Sequence, residues 1–263
     1  MKTPRLSIAG VALAMVAALG ACGSGDDSST ATTGTGATGT GSSAAATTEA
    51  EVPAGALGEL VAAAEKTTAT TAKVAMKSGA VSVAGGFDAV NKLVEMDSDF
   101  GGSGKLQIRR VDNDLYLKAS GAIAASYTGN GKKWLHVDAS KQTGTLSVEQ
   151  NDPSSTAKLL ASAVTDVTGS GGSYTGTLDM SKSPTVASTV GAAAGDKIKA
   201  IPFTAEVKDG YLTKVTMDLS GIAQGAGKSV TEYSGFGDPI AVKAPDAGET
   251  IEMSAADIKK MGG

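Results

Sequence analysis

The chain has 263 residues, with 23 Lys or Arg, 27 Asp or Glu, one Cys and one His. A single cysteine excludes a disulfide framework, and a single histidine gives a His-rich zinc centre or a Ser–His–Asp triad little to build on. There is no basic stripe of the kind that binds nucleic acid, and about 200 residues look foldable, enough for one domain with a sizeable core.

The first stretch reads as an export signal. Lys2 and Arg5 form a positive n-region, and Leu6 to Leu19 is an almost unbroken apolar run. That run suits a signal peptide and falls short of the roughly 20 residues that span a bilayer. Leu19, Gly20 and Ala21 then precede Cys22. Small side chains beside the scissile bond suit a signal peptidase, and the Cys22 thiol supplies the nucleophile for diacylglyceryl attachment. The pattern resembles a bacterial lipobox. It predicts a signal peptide over 1–21 and a lipid-anchored protein at the extracytoplasmic face of the cell membrane. Palmitate-type chains on Cys22 would each contribute about 0.8 kcal/mol per buried methylene.

Beyond the signal, 21 basic residues face 27 acidic ones, a net charge of −6. Four of the acids, Asp26, Asp27, Glu49 and Glu51, lie in 22–53, which leaves the following domain near −2. Residues 23–50 contain only Gly, Ser, Thr, Ala, Asp and Glu. Nothing there can seed a core, so a disordered tether is expected, with a reach of about 30 Å. Gly34 to Gly39 fits the dinucleotide pattern GxGxxG, but no strand precedes it and no helix follows.

A domain over 54–253 follows, with 254–263 as a C-terminal tail. Leu57, Leu60, Val61 and Ala64 form one helical face, up to about Lys66. Val74 and Met76 alternate with polar neighbours, and strands surround Val81–Val83 and Phe87–Phe100. Residues 104–120 read as a hairpin in which Leu106 and Ile108 point one way, Asp112–Asn113 turn, and Leu115, Leu117 and Ala119 continue. A strand spans Lys133–Asp138. A second helix follows Asp152–Pro153–Ser154, with Leu159, Leu160 and Val164 on its apolar face. Residues 171–180 form another strand, and Ser181–Ala200 is ambiguous, with room for a short helix. The clearest hairpin runs from Ile201 to Leu219. Phe203, Ala205 and Val207 alternate in one arm, Asp209–Gly210 turns, and Tyr211, Val215, Met217 and Leu219 share a face in the other. A strand over 228–237 and a short edge near Pro245 complete the chain. The sum is about nine to eleven strands, mostly antiparallel, with two helices.

No chemical constellation stands out. Gly221 to Ser229 imitates a phosphate loop, but Ile222 stands where the motif needs glycine, and a strand follows instead of a helix. His136 sits beside Trp134 on a strand, opposite Leu135 and Val137, as a surface residue would. Asp97 and Asp99 share a strand face without calcium-loop spacing. No cofactor, metal site or catalytic residue is assigned. What remains is an apolar lining: Val74, Met76, Leu106, Ile108, Leu117, Phe203, Val215 and Met217 should line one concave face. Two helices of about 12 residues cannot cover a ten-stranded face, so the sheet closes on itself, packs as an ordinary core, or encloses a cavity. Met76, Met96, Met180 and Met217 suit either an irregular core or an adaptable pocket.

The order of lipobox, tether, amphipathic helix and repeated hairpins, with "GNGKKWLHVD", "IPFTAEVKDGYLTKVTMDL" and "YSGFGDPIAVKAPDAGE", resembles the actinobacterial LppX/LprG-type lipoproteins. These are similar in fold to the lipoprotein carriers LolA and LolB. The resemblance covers roughly 55–253 and is strongest at the Trp134 strand, the Asp209–Gly210 hairpin and Asp238–Pro239. It implies an α+β fold, a U-shaped antiparallel half-barrel with helices on its concave side and a cavity for acyl chains. It also implies binding or transport of envelope lipids or glycolipids, without enzymatic activity, and an envelope transport partner. Two other readings stand beside it, an interaction or sensory lipoprotein with a filled core and a hydrolase using converging carboxylates.

Overall fold

The computed structural model describes residues 55–183, 195–222 and 227–261. Helix α1 (Ala56–Thr68) leads into β1 (Thr71–Ser78), β2 (Val81–Asp88), β3 (Leu93–Asp99), β4 (Lys105–Val111), β5 (Asp114–Ser120) and β6 (Trp134–Asp138). Helix α2 (Ser155–Ala163) then precedes β7 (Val164–Ser170), β8 (Ser173–Leu178), β9 (Ile201–Lys208), β10 (Tyr211–Asp218) and β11 (Lys228–Ser234). The described chain closes with β12 (Thr250–Glu252) and helix α3 (Ala255–Lys260). The strands form one open sheet in the order β12-β6-β5-β4-β3-β2-β1-β11-β10-β9-β8-β7. Every neighbouring pair is antiparallel except β12 and β6. This is the α+β half-barrel architecture expected from the sequence, with helices on one face.

Period-2 alternation decides which face is covered. Ala205, Val215, Thr231, Met76, Val83, Ser98, Leu106 and Ala119 are register partners in one row across eight strands. All eight are buried. The hairpin between β9 and β10 turns at Asp209 and Gly210, with φ of 54° and 76°. Two positive φ values in succession give the turn whose twist matches the strands it joins. Gly85 lets β2 pass close to β3, since a Cβ there would sit 2.0 Å from the Glu95 carbonyl oxygen. Such a glycine lets a sheet bend where a side chain would hold neighbouring strands apart.

Helices α1 and α2 pack on each other, with α1 over β1, β7, β9 and β10 and α2 against β7. The face of α1 is the one its spacing predicts: Leu60, Val61 and Ala64 are buried. In α2, Leu160 is buried, and the Asp152 carboxylate accepts from the Ser154 N–H at 2.9 Å just before the first turn.

Three details depart from the sequence reading. The sheet has twelve strands, and β7 is the one with no signal: its residues are mostly exposed and do not alternate. A register shift between Leu212 and Lys214 turns Leu212 inward in place of Tyr211. Tyr211 instead stacks on Phe236 at 4.3 Å with the Lys66 ammonium 4.1 Å from its ring. Residues from 254 onward, expected as a tail, form α3, capped by the Ser254 side chain, and bury Asp257 and Met261. The signal, Cys22 and the tether lie outside the described residues, as do 184–194 within the ambiguous Ser181–Ala200 stretch.

Candidate ligand site

Alternation alone selected eight lining residues, and all eight lie in one buried cluster on the covered face. Met76, Leu106 and Val215 belong to the row given above. Val74, Ile108 and Leu117 belong to the next, through Gly85 and Met96, and that row runs on to Leu135. Phe203 and Met217 are partners in a third, beside Ser229. Residues far apart in sequence thus form a continuous apolar surface under the helices.

Little space remains over that surface. A void of about 10 Å³ is lined by Leu106, Leu117, Ala119, Tyr127, Leu135 and Met261. A single water needs about 10–15 Å³ by this measure, and small-molecule pockets run to about 300–1,000 Å³. The lining side chains are almost fully buried, so among the described residues this face is covered and closed. Tyr127, Leu135 and Met261 were not picked out in the sequence. Leu135 was placed correctly on its strand, whereas Met261 stands beyond the last recognisable pattern.

The interior is not wholly apolar. Ser98 and Ser229 are almost completely buried, and their hydroxyls have no hydrogen-bond partner among the described residues. Such groups are uncommon in native interiors. Arg110 occupies the row position after Leu106 and Ile108 and is buried as well. Its guanidinium donates to the carbonyls of Asp112 at 2.8 Å and Asn151 at 3.0 Å, and lies 3.7 Å from the Asp152 carboxylate. Burial works to raise the pKa of Asp152, but hydrogen bonds from Ser154 and the charges of Arg110 and Lys158 outweigh it and lower the pKa. Arg110 thereby fastens the loop before α2 to the sheet. This inward cation was not legible beforehand, because an arginine in a strand normally points to water.

The opposite face is polar. Asp97 and Asp99 do share it, where Gln107 donates to Asp97 at 2.8 Å and Lys105 pairs with Asp99 at 3.3 Å. No group of three or more potential ligands capable of holding a metal occurs among the described residues. At the sheet edge, His136 stands between two carboxylates. Its Nδ1 is 2.7 Å from Glu252 and its Nε2 is 2.9 Å from Asp114. Burial disfavours the imidazolium, but the hydrogen bonds and charges of Asp114 and Glu252 prevail and raise its pKa. His136 is a strand residue on the outer face, as its alternation predicts; its two acidic partners were not legible.

Among the described residues no helix is long and apolar enough to cross a membrane. No protein family and no curated protein matches the chain. The crystal structure of the Mycobacterium tuberculosis lipoprotein LppX is similar to it at 17% sequence identity, over 71% of this chain and 97% of that one, with a TM-score of 0.43.

Proposed function

We propose that the protein is a lipid-anchored envelope protein that takes acyl chains of lipids or glycolipids between its sheet and its helices. Cys22 carries the anchor, 23–53 form the tether, and the half-barrel is the binding domain. The observation that carries this reading is the continuous apolar face of the sheet, covered by separate short pieces of 13, 9 and 6 residues rather than by a second sheet. None of the three helices is itself a rung of the strand ladder. The driving force would be methylene burial, at about 25 cal/mol per Å² of apolar surface removed from water. The unpaired hydroxyls of Ser98 and Ser229 suit the ester or hydroxyl oxygens that such ligands carry. Since the interior is filled, binding requires the cover to separate from the sheet.

The void of about 10 Å³ favours a second reading, a display domain with a permanently packed core. A carboxylate hydrolase has less support. The buried acids Asp88 and Asp257 are occupied, Asp88 by Asn91 and Asp257 by Thr128 and Ser254.

Mass spectrometry of organic extracts from the purified protein tests the first reading against the second. Stoichiometric envelope lipid is expected. Extracts free of lipid, from protein prepared without detergent, would favour the display domain. Anchoring is tested separately with Cys22→Ala, which should release the protein from the membrane fraction. Unchanged retention, with an unchanged mass of the N-terminal peptide, would remove Cys22 from the account.

A further inference from the structure

We propose that the C-terminal strap, β12 with α3 and Met261, is the gate through which an unbranched acyl chain reaches the interior, and that the Asp114–His136–Glu252 clasp holds it shut. The proposal rests on the acyl-binding reading above and adds a place and a control to it.

The strap is the least anchored part of the sheet. β12 has three residues, lies at the edge, and is the one strand paired in parallel. After it, the Met253 N–H donates to the His136 carbonyl at 2.8 Å. Side-chain pins do the rest. Ser254 and Thr128 hydroxyls meet at 3.2 Å, the Thr128 N–H donates to Asp257 at 3.2 Å, and Thr145 donates to the Met261 carbonyl. At the strap's end Met261 forms part of the wall of the void, against Leu106, Leu117 and Leu135. Lifting the strap therefore uncovers the ends of two apolar rows without breaking an antiparallel ladder. The void's lining is apolar throughout, which suits an alkyl chain rather than a polar headgroup.

The clasp provides the control. Both ring nitrogens of His136 face a carboxylate at hydrogen-bond distance. A neutral imidazole has one N–H and presents a lone pair at the other nitrogen. It can satisfy one carboxylate and repels the other, so this arrangement is held by the imidazolium. The other titratable and charged groups nearby leave that logic intact. From β5 the Tyr116 ring lies 5.0 Å from His136. On β6, Asp138 is the register partner of Asp114 and is paired with Lys141 at 2.8 Å. From β12 only Glu252 reaches the ring. Raising the pH through the elevated pKa of His136 removes the charge that joins β12 to β5 and β6, and the strap loosens.

The test locks the gate. In a Cys22→Ala background, Thr128→Cys with Ser254→Cys places two thiols where hydroxyls lie 3.2 Å apart, close to disulfide reach. The probe is a pyrene-labelled hexadecanoyl methyl ester, which has no titrating group. Reduced protein should bind it about threefold to fivefold more tightly near pH 8 than near pH 5.5, as a clasp between exposed carboxylates allows. The oxidised form should bind at least about tenfold more weakly at either pH. His136→Gln, which needs no disulfide, should bind near pH 5.5 as the wild type does near pH 8. Equal binding by oxidised and reduced forms, or the same pH dependence in His136→Gln, overturns the gate and leaves acyl binding standing. Absence of binding by wild type, the reduced pair and His136→Gln alike overturns acyl binding, and the gate with it.

Discussion

The Thr67 hydroxyl of α1 takes up both backbone groups of Leu212 in β10, accepting from its N–H at 2.8 Å and donating to its carbonyl at 3.3 Å. Leu212 keeps Val207 as its register partner, with the register shift immediately after it, and its backbone groups are bonded by a fully buried helix residue. Helix α1 is therefore joined to the sheet by directed bonds as well as by apolar packing. Thr67→Val preserves shape and orphans both groups, so it should cost about 1–3 kcal/mol of stability. Thr67→Ser should retain most of it. Urea unfolding of the two variants checks this, and a Thr67→Val change below about 0.5 kcal/mol would mean that the bonds contribute nothing net.

Gly85 gives a second stability test. A methyl group there meets the Glu95 carbonyl oxygen, which is part of the adjoining ladder and cannot move alone. Gly85→Ala should cost about 1–3 kcal/mol, as overpacking does. Thermal melting reads the effect, and an unchanged melting temperature would show that the two strands can separate there freely.

Most of this architecture was legible because alternation and turn chemistry carry it. Val74, Met76, Leu106, Ile108, Leu117, Phe203, Val215 and Met217 were placed on one face by period 2 alone, and Asp209–Gly210 fixed a turn. Strand β7 was not legible, since an exposed edge strand has no buried face to impress a pattern. The inward turn of Leu212 depends on an irregularity that shifts the period by one. Met261 is a lone methionine after a six-residue helix, and its burial is decided by where β12 docks. The partners of His136 come from strands 22 and 116 residues away, a distance that only the topology closes.

The His136 clasp makes stability depend on pH in one direction. Its folded pKa is raised, so its contribution is fully present below the ordinary value of about 6.5 and is lost as pH rises through the folded value. Asp114 and Glu252 are substantially exposed, so screening keeps the effect below about 1 kcal/mol. Wild type should lose stability relative to His136→Gln as the pH rises above about 6.5. Parallel curves for the two proteins would show that the clasp stores no proton-linked stability.

Ser229→Ala removes a buried hydroxyl that has no partner among the described residues. Without ligand the change should be neutral or stabilising, because it deletes an unsatisfied group. With ligand it should weaken the binding of an ester-bearing lipid more than that of an alkane. A loss of more than about 1 kcal/mol in the ligand-free protein would show that the hydroxyl is bonded after all.

The most direct measurement is a paired titration and melting curve with a fluorescent hexadecanoyl ester, on wild type and Met217→Trp. Met217 is almost wholly buried in the third apolar row, beside Phe203 and Ser229. Acyl binding predicts saturable uptake by wild type at one site per chain, with the melting temperature rising as ligand is added. It predicts weaker uptake by Met217→Trp, whose indole occupies the chain's path. Without ligand the closed interior makes the same substitution an overpacking change, costing about 1–3 kcal/mol. No saturable uptake and no ligand-dependent shift in wild type would contradict the account and leave a packed display domain.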